Sequence, residues 1–140
     1  MLKILLPIDG SERSIQAVEW VKRRYTPADV ELTLLLVRED LDEMRSQAEL
    51  EQAKGEASSL LAQSARGLEG FSVATQVRFG RAGEEILHFA EDHEISTIVM
   101  TKSTKTGWVR IIGSVATHVV KYADCVVVIV PEAEKVLGNL

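Results

Sequence analysis

A single cysteine, Cys125, stands in the 140 residues, so no intrachain disulfide can form and nothing in the chain asks for an oxidising compartment. A cytoplasmic setting is the simplest reading. Long apolar runs are missing as well. The N-terminal MLKILLPIDG breaks at proline and aspartate after a few residues, short of a signal peptide's apolar region and of the ~20 residues needed to span a bilayer. Neither export nor membrane insertion is expected. A cationic excess is absent too: 16 Lys and Arg against 21 Asp and Glu leave a net charge of −5, without the basic footprint that displaces counterions from nucleic acid. Any anionic ligand must be held by local groups.

Catalytic groupings are equally sparse. His88, His93 and His118 fall in no metal-ligand spacing such as H-E-x-x-H, so no metal site is expected. No base stands beside a nucleophile, and no catalytic residue is assigned. Cys125 opens an apolar run and reads as a small buried hydrophobe rather than a reactive thiolate. The stretch TKSTKTGWVRIIGS at 101–114 has glycine only at Gly107 and Gly113 and fails the pattern G-x-x-x-x-G-K-[ST], which removes the commonest phosphoryl-transfer class.

What the chain does contain is an ordinary globular balance, 46% hydrophobic and 26% charged, in a length that fits one domain over 1–140. Five short apolar runs, at 3–8, 30–37, 71–79, 95–100 and 125–130, alternate with four helical segments. Runs such as TLLLV and CVVVIV lack period-two alternation, as strands covered on both faces do. The first helix starts at Ser11, a candidate cap, and carries Ile15, Val18, Val21 and Tyr25 at three- to four-residue spacing until Pro27 and Asp29. The second spans about 41–68, with Leu50, Ala53, Ala57, Leu60, Leu61 and Ala65 as its apolar stripe. The third covers about 82–92, and the fourth runs from Gly113 to Tyr122. Strand and helix alternating throughout imply right-handed crossovers and one parallel sheet, an α/β fold.

In such folds ligands settle beyond the carboxyl ends of the strands, where strand order reverses. Three loops qualify by position: 7–14 (PIDGSERS), 37–40 (VRED) and the 101–114 stretch. Asp9 could accept hydrogen bonds from a sugar hydroxyl or a base amine, or could serve ordinary turn and cap chemistry. The Val37 backbone could meet a base edge, or Val37 could simply pack. Gly113 and Ser114 open a helix whose free amides attract an anion, with Lys102, Lys105 and the hydroxyls of Thr101, Ser103, Thr104 and Thr106 nearby. The plain alternative is a helix start flanked by solvated lysines.

Three blocks, ILLPIDGSERSIQAVEWV, GRAGEEILHFAEDHEISTIVM and IIGSVATHVVKYADCVVVIVP, in this order and spacing resemble the universal stress proteins. The resemblance implies a three-layer open sandwich with a five-stranded parallel sheet in the order 3-2-1-4-5 and four helices, of the Rossmann-like, adenine nucleotide alpha hydrolase-like kind. It also implies a cytoplasmic protein that dimerises through the last strand, Cys125 to Val130. Members that bind ATP or AMP carry G-x2-G-x9-G-[ST] after the fourth strand. This chain has Thr101 and Thr104 at the first two glycines and eight residues before Gly113. If those positions demanded φ > 0, each threonine would cost roughly 1 to 2 kcal/mol.

By similarity Pro7, Ile8, Asp9 and Val37 would flank the base and ribose, and Met100, Thr101, Lys102, Thr104, Gly113, Ser114 and Val115 would line the phosphates of ATP or AMP. A branch of the family lacks the glycine motif and holds no ATP. The leading expectation is therefore a dimeric stress-response or signalling protein acting through an unidentified protein partner, with a degenerate nucleotide pocket and at most weak nucleotide hydrolysis. The alternative is an ATP or AMP sensor that uses the 101–115 loop.

Overall fold

The computed structural model describes residues 1–101 and 113–131. Strands β1 (Leu2–Pro7), β2 (Val30–Arg38), β3 (Ser72–Phe79), β4 (Thr97–Thr101) and β5 (Val126–Val130) form one parallel sheet ordered β3-β2-β1-β4-β5. Four helices connect them: α1 (Glu12–Arg24), α2 (Gln47–Arg66), α3 (Ala82–Asp92) and α4 (Ser114–Tyr122). The expected fold and strand order are both present.

The core is split by the sheet. On one face Ile4, Leu6, Leu32 and Leu34 pack with Ala17, Val18 and Val21 of α1 and Ala57 and Leu61 of α2. On the other, Leu5, Leu35, Ile98 and Met100 pack with Ile86 and Phe89 of α3 and Ala116 and Val119 of α4. Neighbouring residues of one strand thus feed opposite halves, and this removes the polar positions that a half-solvated strand would show. β3, at the sheet's edge, is the exception: Val73 and Val77 pack inward while Ser72, Ala74, Thr75 and Gln76 are exposed.

Helix ends depart from the sequence reading in two places. Residues 41–68 are not one helix: Leu41–Glu43 make a single 3-10 turn, and α2 begins only at Gln47. Its true start is a capping arrangement, in which the Ser46 hydroxyl accepts from Glu49 N at 3.1 Å and the Glu49 carboxylate takes Arg45 N–H. Of the expected stripe, Ala53, Ala57 and Leu61 are buried, whereas Leu60 is 37% exposed and lies over Gly10. Second, Ser11 stands at the N-cap position of α1 without a side-chain cap bond. Its hydroxyl goes to Asp9 instead. The last strand begins at Val126, one residue after Cys125.

Helices α3 and α4 touch where Gly83 faces His118. A Cβ at Gly83 would lie 2.7 Å from His118 Cδ2 and 3.0 Å from Cγ, and the ring is held in turn by Tyr122, whose centroid is 4.9 Å away. Helix propensity alone predicts that Gly83→Ala stabilises the protein by up to about 1 kcal/mol. The contact predicts the opposite sign, a loss of about 1–3 kcal/mol in urea unfolding. Adding His118→Ala should restore part of it, and a stabilised Gly83→Ala protein would show that the helices do not meet here.

Candidate functional site

The reversal of strand order lies between β1 and β4. After β1 the chain turns into α1 on one face of the sheet, and α4 follows β4 on the opposite face. Loops that leave adjacent strand tips toward opposite faces part from each other and leave a crevice. Ile8 N donates to Leu35 O at 2.8 Å, which carries the β1–β2 ladder past the strand end. Continuing the register of Pro7 with Leu35 puts Asp9 level with Val37, and continuing that of Leu5 with Ile98 puts Pro7 level with Met100. Adjacent tips are about 5 Å apart, and those of β2 and β4 about 10 Å. Asp9, Val37 and Thr101 therefore belong to one end of the sheet. Ser114 joins them because α4 must run back along the sheet before β5 begins.

The Asp9 carboxylate is built into its turn. Gly10, at φ +83°, lets the chain double back, and Asp9 Oδ1 then accepts from Ser11 N at 2.9 Å, from the Ser11 hydroxyl and from Ser14 Oγ at 2.6 Å. Partial desolvation pushes the Asp9 pKa up. The bonds from Ser11 and Ser14, with the Arg13 charge, outweigh it and hold the group below the ordinary 3.8. Asp9 is nonetheless open to solvent, its side chain 67% exposed.

Side chains at the other expected positions reach the crevice unequally. Ile8 and Met100 are buried in opposite core halves, and Pro7, Val37 and Val115 are half-buried. Thr101 closes β4 opposite Val130. Among the described non-glycine residues Glu94 has a positive φ and Thr101 does not, so the strain expected from replacing a glycine there does not arise. Gly113 is the N-cap of α4 and has no side-chain cap bond, while Ser114 is exposed at the first position. Lys102, Thr104 and Lys105 lie outside the described residues.

The charged side chains of the VRED loop are taken up within the fold. Arg38 donates through Nε and an Nη to Asp40 at 3.0 and 2.6 Å, and through its other Nη to Glu56 at 3.1 Å. Bonds to Asp40 first, then Glu56, raise the Arg38 pKa, and the same bond lowers that of Asp40. Glu39 reaches across to α3 and accepts from Ala82 N at 2.7 Å. That helix has Arg81 at its N-cap and no cap bond of its own, so Glu39 caps it from another loop. Local sequence held only one hint of this, the lack of a Ser, Thr, Asp or Asn before α3.

Among the described residues no group of three His, Cys, Asp or Glu could hold a metal ion, and no helix is long and apolar enough to cross a membrane.

A model of the universal stress protein family matches residues 1–131. The universal stress protein MJ0531 of Methanocaldococcus jannaschii is 32% identical over 142 residues, covering 95% of this chain and 84% of its own. The solved structure of hypothetical protein MJ0577 is 30% identical, with a TM-score of 0.82 over 96% of this chain and 98% of its own. Three further structures share the fold at 16% identity. One is a universal stress protein in complex with cAMP (TM-score 0.70, 93% of this chain and 96% of its own). Another is an Arabidopsis thaliana family protein with AMP bound (0.70, 95% and 93%). The third is the Archaeoglobus fulgidus protein in complex with dAMP (0.65, 92% and 97%).

The Glu39 cap can be tested alone. Glu39→Ala should lower stability by about 1 kcal/mol in chemical denaturation, and Glu39→Gln by less, because it keeps an acceptor while losing the charge at the helix N-terminus. Equal stability of Glu39→Ala and wild type would mean that solvent satisfies Ala82 N just as well.

Proposed function

This chain belongs to the universal stress protein family, and we propose that it binds an adenine nucleotide across the tips of β1, β2 and β4 and works as a stress-responsive sensor rather than a turnover enzyme. One observation carries this reading. The strand-tip end of the sheet carries a fixed carboxylate, Asp9, in the turn after β1, and it carries the start of α4, whose N-cap Gly113 makes no side-chain cap bond, after β4. The first suits the amine or hydroxyl donors of a nucleoside, and the second suits a phosphate. The relatives of the same fold that hold AMP, cAMP and dAMP support it.

In this reading Pro7, Ile8, Asp9 and Val37 border the base and ribose, largely through backbone groups where side chains are buried. Met100, Thr101, Gly113, Ser114 and Val115 border the phosphates, and Lys102 and Thr104 complete that side. A monophosphate needs little beyond the α4 amides, whereas a triphosphate needs the loop that has lost its glycines, so AMP is the favoured ligand over ATP. The setting is cytoplasmic, with neither nucleic acid nor membrane as partner.

One observation favours a second role, signalling through a homodimer. β5 is an edge strand of valine and isoleucine, and its Val126 is 61% exposed. An open apolar edge of this kind favours pairing with another copy.

Calorimetric titration with AMP, ATP and cAMP tests the first reading: AMP should bind, and Asp9→Ala should weaken it about tenfold or more. No heat from any of the three at millimolar ligand would remove the sensor. For the second, light scattering should give a dimer at micromolar protein and a monomer for Val126→Lys, whereas a wild-type monomer would exclude it.

A further inference from the structure

The Asp9 carboxylate is used asymmetrically. Oδ1 collects three hydrogens, from Ser11 N, the Ser11 hydroxyl and Ser14 Oγ. Among the described residues Oδ2 has only Arg13, in an ion pair at 3.9 Å that lies beyond hydrogen-bond range. Ser14 differs from Ser11 in being buried, 5% exposed, in the first turn of α1. Its one proton is committed to Oδ1 at 2.6 Å, and its oxygen takes the Asp9 backbone N–H at 3.0 Å. A single buried hydroxyl therefore grips both the backbone and the carboxylate of Asp9. Because three donors already crowd Oδ1, a proton arriving at this carboxyl goes to Oδ2.

We propose that Ser14 is a positioning residue for ligand recognition: it holds Oδ1 so that Oδ2 is presented as a bare acceptor, reserving that end of the crevice for a neutral N–H or O–H donor and refusing phosphate. The proposal rests on the nucleotide reading above. The donor is either the exocyclic amine of the base or a ribose hydroxyl, because an ionised carboxylate has only acceptor capacity. A site of this kind discriminates strongly, since an analogue lacking the donor leaves a polar group unpaired.

Among the described side chains, the groups around the turn leave Asp9 as the titrating partner. α1 contributes Arg13, α2 contributes the apolar Leu60 against Gly10, and β2 contributes Arg38, committed to Asp40 and Glu56. Thr101 and Ser114, at the tips of β4 and α4, carry no charge. With the Asp9 pKa held below 3.8, the acceptor persists above that value and is lost as pH falls through the lowered one. Removing the Ser14 bond destabilises the ionised form and moves that midpoint upward.

The test combines a carbon-13 titration of the Asp9 carboxyl in the ligand-free protein with calorimetry, on wild type, Ser14→Ala and Ser14→Thr. Ser14→Ala should raise the Asp9 midpoint, weaken AMP about tenfold and move the acid limb of AMP binding to higher pH. Ser14→Thr, which keeps the hydroxyl, should restore all three. Inosine monophosphate lacks the amine and dAMP lacks the 2′-hydroxyl; whichever lacks the recognised donor should bind wild type more weakly than AMP and be indifferent to Ser14→Ala. An unmoved midpoint in folded Ser14→Ala overturns the proposal, and so do inosine monophosphate and dAMP both binding as tightly as AMP. A raised midpoint with unchanged AMP affinity overturns it while leaving the nucleotide reading intact. Failure of wild type to bind AMP overturns both.

Discussion

The parallel pairing of β1 with β4 is the contact on which the rest of the molecule depends. It is short, with Ile4 level with Thr97 and Leu5 with Ile98. Ser96 lengthens it from below: its N–H and hydroxyl both donate to Lys3 O, at 2.9 and 2.8 Å, and its oxygen accepts from Lys3 N at 3.0 Å. A side chain there continues the work of the ladder just before β4 begins. Because β2 already occupies the other edge of β1, this pair sends α1 and α4 to opposite faces. The crevice at the strand tips is a consequence of that connectivity, and it needs no dedicated loop to hold it open.

How much of this could be read beforehand depended on the range of each interaction. Runs such as TLLLV announced strands because a sheet covered on both faces tolerates no polar alternation. The order of those strands is set by contacts between residues far apart in sequence, which periodicity does not report; the likeness of three sequence blocks to known proteins supplied it. Residues 41–46 were read as the charged start of one long helix, although Ser46 and Glu49 carried the capping signal three residues apart. Asp9 was visible as a carboxylate at a strand tip. Its partner Ser14 was not, since a serine three residues into a helix reads as solvated surface, and only the tertiary packing that buries it makes its hydroxyl a clamp.

Charge in the tip loops separates into two kinds. Arg38, Glu39 and Asp40 are all consumed inside the fold, tying β2 to α2 and α3 over separations of 15 to 43 residues. Such groups are poor ligand contacts, because a ligand would have to break a charge-assisted bond before making its own. Among the described residues Asp9 satisfies one oxygen with hydrogen bonds and leaves the other to a 3.9 Å ion pair with Arg13, and α4 begins at Gly113, which has no side chain to cap its amides. In the proposed reading, uncommitted capacity more than charge itself distinguishes a recognition group from a structural one.

In the proposed reading Asp9 and the start of α4 have opposite preferences, and that would give the crevice a direction. A phosphate turned toward Asp9 would meet an anion that its own turn keeps ionised, and two unit charges 4 Å apart repel by about 1 kcal/mol in water and about 4 kcal/mol at a protein surface. Turned toward α4, the same phosphate would meet the first-turn amides and the positive end of the helix dipole. Orientation would thus be decided by electrostatics before any shape is considered. Thr101 fits this division of labour. It ends β4 outside the positive-φ region, so the chain there is still finishing its strand rather than wrapping an anion. In the proposed reading the weight of anion recognition then falls on the helix that follows, and that would suit a short phosphate group better than a long one.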